Sequence, residues 1–135
     1  MSQLVVDSSA LVSALIDAGS EGIWTRGHLV AHSLDAPDTV LAEACNVLRR
    51  LELSGILAGP TAAAAFEDLK ALPINVWPFH MLADRAWELR SSVTSYDAAF
   101  VALAEKLNVP LLTLDRRLAS APGTRCAFLT PPGFD

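Results

Sequence analysis

The chain has 135 residues, 52% of them hydrophobic, with positive mean hydropathy, so it holds enough apolar side chain for one compact core and too little length for two ordinary domains; a single domain over residues 1–135 is expected. Its 15 acidic residues against 10 Lys and Arg leave a net charge of −5, which opposes contact with a polyanion and excludes a non-specific, charge-driven nucleic-acid binder. An acidic pocket holding divalent cations is not excluded, because cations invert the local field where a phosphate would sit.

The first apolar run, Leu4-Val5-Val6, stops at Asp7, and Leu11, Val12, Leu15 and Ile16 then follow helical spacing, so a strand feeds a helix. The spacing predicts a second helix from about Ser20 to Leu34 and, after Ala36-Pro37-Asp38, a third carrying Val40, Leu41, Ala44, Val47, Leu48 and Leu51. Gly55 and Gly59-Pro60 close that unit. A helix over Thr61 to Leu72, a short strand over Ile74-Asn75-Val76 and a helix from Pro78 to about Val93 come next. Ser95 to Leu107 is apolar on nearly all sides and reads as a buried helix, Val109 to Leu114 as a buried strand ending at Asp115, and Cys126 to Leu129 as a last short strand.

Strands alternating with helices give an α/β fold with a mainly parallel sheet covered on both faces, because a parallel pair requires a crossover. Sites in such sheets form outside the carboxyl ends of the strands, where Asp7 and Asp115 fall by sequence. The cysteines, Cys45 and Cys126, lie in no CxxC or zinc-like spacing, which suits a reduced, cytoplasmic setting. No signal-peptide pattern opens the chain, and no run approaches the roughly 20 apolar residues of a membrane span.

Each acid of interest has an ordinary structural role open to it. Asp7 and Asp115 suit helix N-caps, and Asp97 suits a Thr94-x-x-Asp97 capping box. Glu43, at the border of an apolar helical stripe, is otherwise a solvated flank residue. If the four converge in one crevice the arrangement is expensive, since two carboxylates about 4 Å apart repel by about 4 kcal/mol at an effective dielectric near 20. Cations or bound protons must offset that cost. A carboxylate set without His or Cys suits Mg²⁺ or Mn²⁺, which acidify water and stabilise charge at a phosphodiester.

Four segments in order resemble the motifs of PIN domains. Val6-Asp7-Ser8-Ser9-Ala10-Leu11-Val12 is similar to the first, and Ala36-Pro37-Asp38 leading to Leu41-Ala42-Glu43-Ala44-Cys45-Asn46-Val47-Leu48 to the second. Ser95-Tyr96-Asp97-Ala98-Ala99-Phe100-Val101-Ala102-Leu103-Ala104 resembles the third, and Leu112-Thr113-Leu114-Asp115-Arg116-Arg117-Leu118 the fourth. They span nearly the whole chain, with nothing appended, which is similar to the VapC toxins of VapBC modules. The resemblance implies a Rossmann-like α/β/α sandwich and a Mg²⁺- or Mn²⁺-dependent endoribonuclease with Asp7, Glu43, Asp97 and Asp115 in the acidic positions and Ser9 and Thr113 in the hydroxyl positions beside the metal. It also implies a homodimer and a cognate VapB-type antitoxin whose tail blocks the cleft. Arg117 departs from the pattern, since many PIN domains carry another acid there; one firm metal site is the consequence expected.

Arg49, Arg50, Arg116 and Arg117 lie just beyond two of the motifs, either as guides for RNA phosphates or as solvated helix-surface arginines. His28 and His32 have the spacing of a two-histidine metal face, but Leu29 stands where a zinc protease needs Glu, so these and His80 are expected to be ordinary histidines. Trp24, Trp77 and Trp87 show no interleaving with basic residues and are expected in the core or a dimer interface. No GxxxxGK[ST] or GxGxxG loop is present, which argues against a nucleotide-binding enzyme. A phosphoaspartate phosphatase would need Asp-x-Asp where Asp7-Ser8-Ser9 stands, and a receiver module an acidic pair and a late-strand lysine. A PIN fold that only binds a partner, and a non-toxin RNA-processing nuclease, remain the alternatives.

Overall fold

The computed structural model describes residues 1–133; Phe134 and Asp135, the end of the domain expected over 1–135, lie outside the described residues. The elements run β1 (Gln3–Val6), α1 (Ser8–Ile16), α2 (Ser20–Ala31), β2 (Ser33–Pro37), α3 (Val40–Leu53), α4 (Gly59–Ala71), β3 (Ile74–Trp77), a 3₁₀ turn (Phe79–Met81), α5 (Ala83–Glu88), α6 (Ser95–Leu107), β4 (Leu111–Leu112), α7 (Arg116–Ala119) and β5 (Phe128–Leu129). The strands form one all-parallel sheet in the order β3-β2-β1-β4-β5. The expected α/β fold with its parallel sheet is therefore found.

Strand order fixes where a site can form. From β1 the chain steps to β2 and then β3 in one direction, and right-handed crossovers put the intervening helices on one face. It then crosses back to β4 and on to β5, which sends the later helices to the opposite face. In keeping with this, α1 packs on α2, α3 and α4, whereas α6 lies against β1, β2 and β4 with α5 behind it. The direction reverses between β1 and β4, so a crevice opens at their carboxyl ends.

The core explains the sheet's shortness. Leu4, Val5, Val6, Leu111 and Leu112 are fully buried, as central parallel strands covered on both faces must be. α6 buries every residue from Ala98 to Ala104, and its four alanines in that span let the helix approach the sheet closely. Thr94 opens α6 by accepting from Asp97 N at 3.2 Å, and Asn108, at φ 55°, ends it in the left-handed conformation that Asn tolerates. In α3, Val40, Ala44 and Leu48 form the buried stripe.

Three expectations are corrected. The helix expected from Ser20 to Leu34 ends at Ala31, and Ser33–Pro37 is a strand between β1 and β3. That segment contains no β-branched or aromatic residue, and pairing on both sides, not propensity, makes it a strand. The helix expected over Pro78–Val93 is broken into the 3₁₀ turn and the short α5, although Leu82, Ala86 and Leu89 are buried as the spacing foresaw. The strand expected over Val109–Leu114 pairs only at Leu111 and Leu112, leaving Thr113 to Asp115 to turn into the crevice.

Candidate active site

Asp7 follows β1 directly and is 5% exposed. Its Oδ1 accepts from Ala10 N at 3.0 Å, capping α1, and from Ser9 Oγ at 2.6 Å. Its Oδ2 accepts from the hydroxyl of Thr113, which is wholly buried at the end of β4. Thr113 Oγ1 in turn accepts from Asp115 N at 3.0 Å, and Ser9 Oγ from Leu114 N at 3.2 Å. The hydroxyls of Ser9 and Thr113 thus fasten the β1 carboxylate to the β4 loop, and neither is free to rotate away. Burial pushes the Asp7 carboxyl up from 3.8 to about 6; the Ser9 and Thr113 hydroxyls and Ala10 N pull it down, and Asp97 pushes it further up.

The other acids arrive from separate elements. Glu43 lies in the first turn of α3, half-buried, with Oε2 accepting from Thr39 Oγ1 at 2.9 Å. Its carboxyl is raised by burial and then by the charges of Asp97 and Asp7, against the Thr39 hydrogen bond. Asp97, in the first turn of α6, is raised by burial and by Asp115, while the Thr94 hydroxyl and Arg117 act the other way. Asp115 caps α7, accepting from Arg117 N at 2.9 Å and Leu118 N at 3.3 Å. Asp97 is therefore the acid through which the set is joined: it acts electrostatically on Asp7 and Glu43 and is acted on by Asp115. The capping role is realised at Asp7 and Asp115.

The donor chemistry fits a hard divalent cation, since the coupled groups present only oxygen and their carboxyls are raised first by burial and then by one another's charge, both of which a cation would offset. As the side chains stand, no group of three or more His, Cys, Asp or Glu among the described residues forms a ready-made metal cage. A cation keeping several of its own waters, as Mg²⁺ does, needs only one or two direct carboxylates.

Asp97 and Asp115 also line a pocket of about 650 Å³, together with Thr94, Arg90, Arg117 and Ser120. Arg117, an expected substrate contact, is thus beside the acids. Arg116 begins α7 and is exposed. Arg49 lines a different groove, between α3 and α4, with Cys45 and Phe66, and Arg50 is exposed in the last turn of α3. Two residues at the site were not anticipated. Thr39 carries no local signal beyond its position before a helix, and Arg90 lies where the sequence pattern shows only the end of an expected helix.

His28 and His32 stack with ring centroids 5.4 Å apart, His32 Nδ1 lies 2.7 Å from the His28 carbonyl, and His80 is exposed. Trp24 and Trp77 pack against the core, but Trp87 is 65% exposed, so core packing fails for it. Cys45 and Cys126 are free thiols, and no helix among the described residues is long and apolar enough to cross a membrane.

Known proteins match this fold and its motifs. The PIN domain family matches residues 4–123. Ribonuclease VapC1 of Mycobacterium tuberculosis is 44% identical over 93% of this chain and 96% of its own length. PAE2754 from Pyrobaculum aerophilum shares the fold at a TM-score of 0.69 with 22% identity, over 96% of this chain and 89% of that one. VapBC2 from Rickettsia felis, solved bound to a DNA fragment from their promoter, gives a TM-score of 0.65 with 13% identity, over 95% of this chain and 98% of that one. With its parallel sheet and the acids gathered at its switch point, the chain belongs to the PIN-domain family, among its VapC members.

Proposed function

We propose that the protein is a Mg²⁺- or Mn²⁺-dependent endoribonuclease of the cytoplasm, the toxin of a toxin–antitoxin pair, with RNA as substrate and a VapB-type antitoxin as partner. The observation that carries the reading is the electrostatic union of Asp7, Glu43 and Asp97, drawn from three elements, at a buried carboxylate that two hydroxyls hold in place. The 44% identity to Ribonuclease VapC1 over nearly the whole chain supports the choice of RNA, and the VapBC2 assembly supports an antitoxin partner. The acidic balance of the chain suits a basic partner segment, and the homodimer implied by the resemblance is part of the same proposal.

Asp7, Asp97 and Asp115, with Glu43, would hold the cation. When bound, Mg²⁺ or Mn²⁺ supplies charge neutralisation at a phosphate and acidifies water. The chain's own residues set up what surrounds that chemistry. Ser9 and Thr113 keep Asp7 ionised against its burial by donating to both of its oxygens. Glu43 is orientated by Thr39 through Oε2, and its carboxylate would take a proton from water attacking a phosphodiester. Its raised carboxyl makes it a stronger base than an exposed glutamate.

Purified, antitoxin-free protein incubated with total cellular RNA and Mg²⁺, Mn²⁺ or a chelator tests the proposal, with Asp97→Asn alongside. Metal-dependent cutting that disappears in the variant supports it. No cutting under any condition, or equal cutting by the variant, sinks it and leaves a PIN fold that only binds its partner.

A further inference from the structure

The pocket beside Asp97 and Asp115 contains a feature that holding a metal does not require: two arginines that line it with the acids without pairing to them. Neither Arg90 nor Arg117 forms an ion pair among the described residues. Arg90, in the turn that follows α5, is nonetheless ordered by Trp87 of that helix. Its guanidinium carbon stands 4.4 Å from the centre of the Trp87 ring, and Nη1 donates to the Trp87 carbonyl oxygen at 2.9 Å. One face and one nitrogen are thereby used, and the other donors of the fork have no partner among the described residues. The exposure of Trp87 also has an explanation here, because an indole left in solvent can serve as the bed for a cation.

The helix is fixed as well. Arg85, two residues before Trp87, donates from Nε to Glu105 Oε1 at 2.7 Å and from Nη2 to the Gly123 carbonyl at 2.8 Å, tying α5 to α6 and to the segment before β5. Arg117 lines the same pocket from α7 and acts electrostatically on Asp97. A pre-ordered planar fork and a second guanidinium at the edge of a carboxylate site match a phosphodiester oxygen pair. The pocket's volume lies within the roughly 300–1,000 Å³ of small-ligand sites, and Ser120 and Thr94 add neutral hydroxyls.

We propose that Arg90 and Arg117 form a clamp for a phosphate of single-stranded RNA next to the scissile one, with Trp87 as the positioning residue that holds Arg90 in place. The clamp rests on the ribonuclease reading. It places an RNA strand along the edge of α5 and the start of α7 and gives an acidic protein a local means of holding a polyanion. A contact made equally before and during cleavage lowers KM and leaves kcat alone.

The test measures anisotropy of a 5′-labelled, 12-nucleotide mixed-sequence RNA with the Asp97→Asn chain, then with Arg90→Gln, Trp87→Ala, Trp87→Phe or Lys70→Gln added, over a range of salt. KM and kcat are read for the same changes in the otherwise unaltered protein. Arg90→Gln is expected to weaken binding about tenfold and to raise KM with kcat unchanged, as loss of a charge-assisted contact does. The salt slope should become shallower by about 0.7, the share of one phosphate on a single strand. Trp87→Ala should move the same way and Trp87→Phe should restore most of the loss, while Lys70→Gln, on α4, should change nothing. Binding and salt slope unchanged in Arg90→Gln, or a fall in kcat with KM unchanged, would overturn the clamp while the ribonuclease reading stands. A parent protein that neither cuts nor binds the RNA would remove that reading and the clamp with it.

Discussion

Asp7→Asn should stabilise the metal-free protein at neutral pH. The folded-state carboxyl is raised from 3.8 to about 6, so the native state holds its proton more tightly than the unfolded chain. The stabilisation from that proton is complete below about pH 4 and is lost as pH rises through about 6. The shift corresponds to about 3 kcal/mol, one pKa unit being about 1.4 kcal/mol. Asn presents the neutral form at every pH, but its amide nitrogen cannot accept from the Thr113 hydroxyl, which returns about 1 kcal/mol. A net gain of about 2 kcal/mol above pH 6 remains, equivalent to a Tm higher by about 5 °C in a chain of this size. Thermal melts of both proteins in chelator from pH 4 to pH 8 read it directly. The variant should be about 1 kcal/mol less stable near pH 4, from the lost hydrogen bond alone, and the curves should cross as pH rises and separate in the variant's favour towards pH 7; added Mg²⁺ should then stabilise the parent more than the variant. A parent protein whose stability does not fall between pH 4 and pH 6, or a variant less stable by the same margin at both ends, would refute the placement of the cost at Asp7.

Other perturbations test the frame around the site. Asp97→Asn removes a charge that raises both Asp7 and Glu43, so the pH at which the apo protein loses stability should move down; the same melts detect it. Gly22→Ala should be severe, since a Cβ there would sit 1.8 Å from the Asp17 carbonyl oxygen at the joint of α1 and α2; a loss of about 1–3 kcal/mol by denaturant unfolding is expected. Trp77→Phe removes the indole N–H that donates at 3.0 Å to Asp35, a carboxylate 2% exposed within β2, and should cost about 1–3 kcal/mol in the same assay. Cys126, whose thiol burial raises to about 11, should alkylate slowly at pH 8 in the folded protein and rapidly after unfolding, as mass spectrometry with iodoacetamide would show.

How much was legible in the sequence depended on whether the signal was local. Helix α6 was read to the residue because thirteen mostly apolar positions lie between a Thr cap and an Asn that can turn left-handed. The caps at Asp7 and Asp115 were legible for a related reason: each follows an apolar run, so the strand–helix junction that ends the run makes the acid a cap. Strand β2 was not legible, because Ser33-Leu34-Asp35-Ala36-Pro37 has no strand-forming composition and is defined by neighbours far along the chain. The buried Asp35 and its partners Gln3 and Trp77, 32 and 42 residues away, were hidden for the same reason. Arg90 belongs with these. Its spacing from Trp87 is visible, but its pairing with Arg117 across a pocket exists only once α5 and α7 have been brought together.

The tolerance of the fold for so many close carboxylates has a structural basis that the strand order makes unavoidable. In a parallel sheet the carboxyl ends of strands lead into the amino ends of helices, so a crevice at a switch point is ringed by helix N-termini. Asp7 and Asp115 are the N-caps of α1 and α7, and Glu43 and Asp97 lie in the first turns of α3 and α6. Asp7 accepts from Ala10 N and Asp115 from Arg117 N and Leu118 N, and each of the four acids lies at the positive end of a helix dipole, an interaction of about 0.3–1 kcal/mol apiece. Against a repulsion of about 4 kcal/mol for one close pair, four such terms offset part of the cost and leave the rest. Burial does the larger part of raising the carboxyls of Asp7, Glu43 and Asp97, and the neighbouring charges add to it. It is this sparingly solvated negative charge, held in place by Ser9, Thr39 and Thr113, that favours a divalent cation.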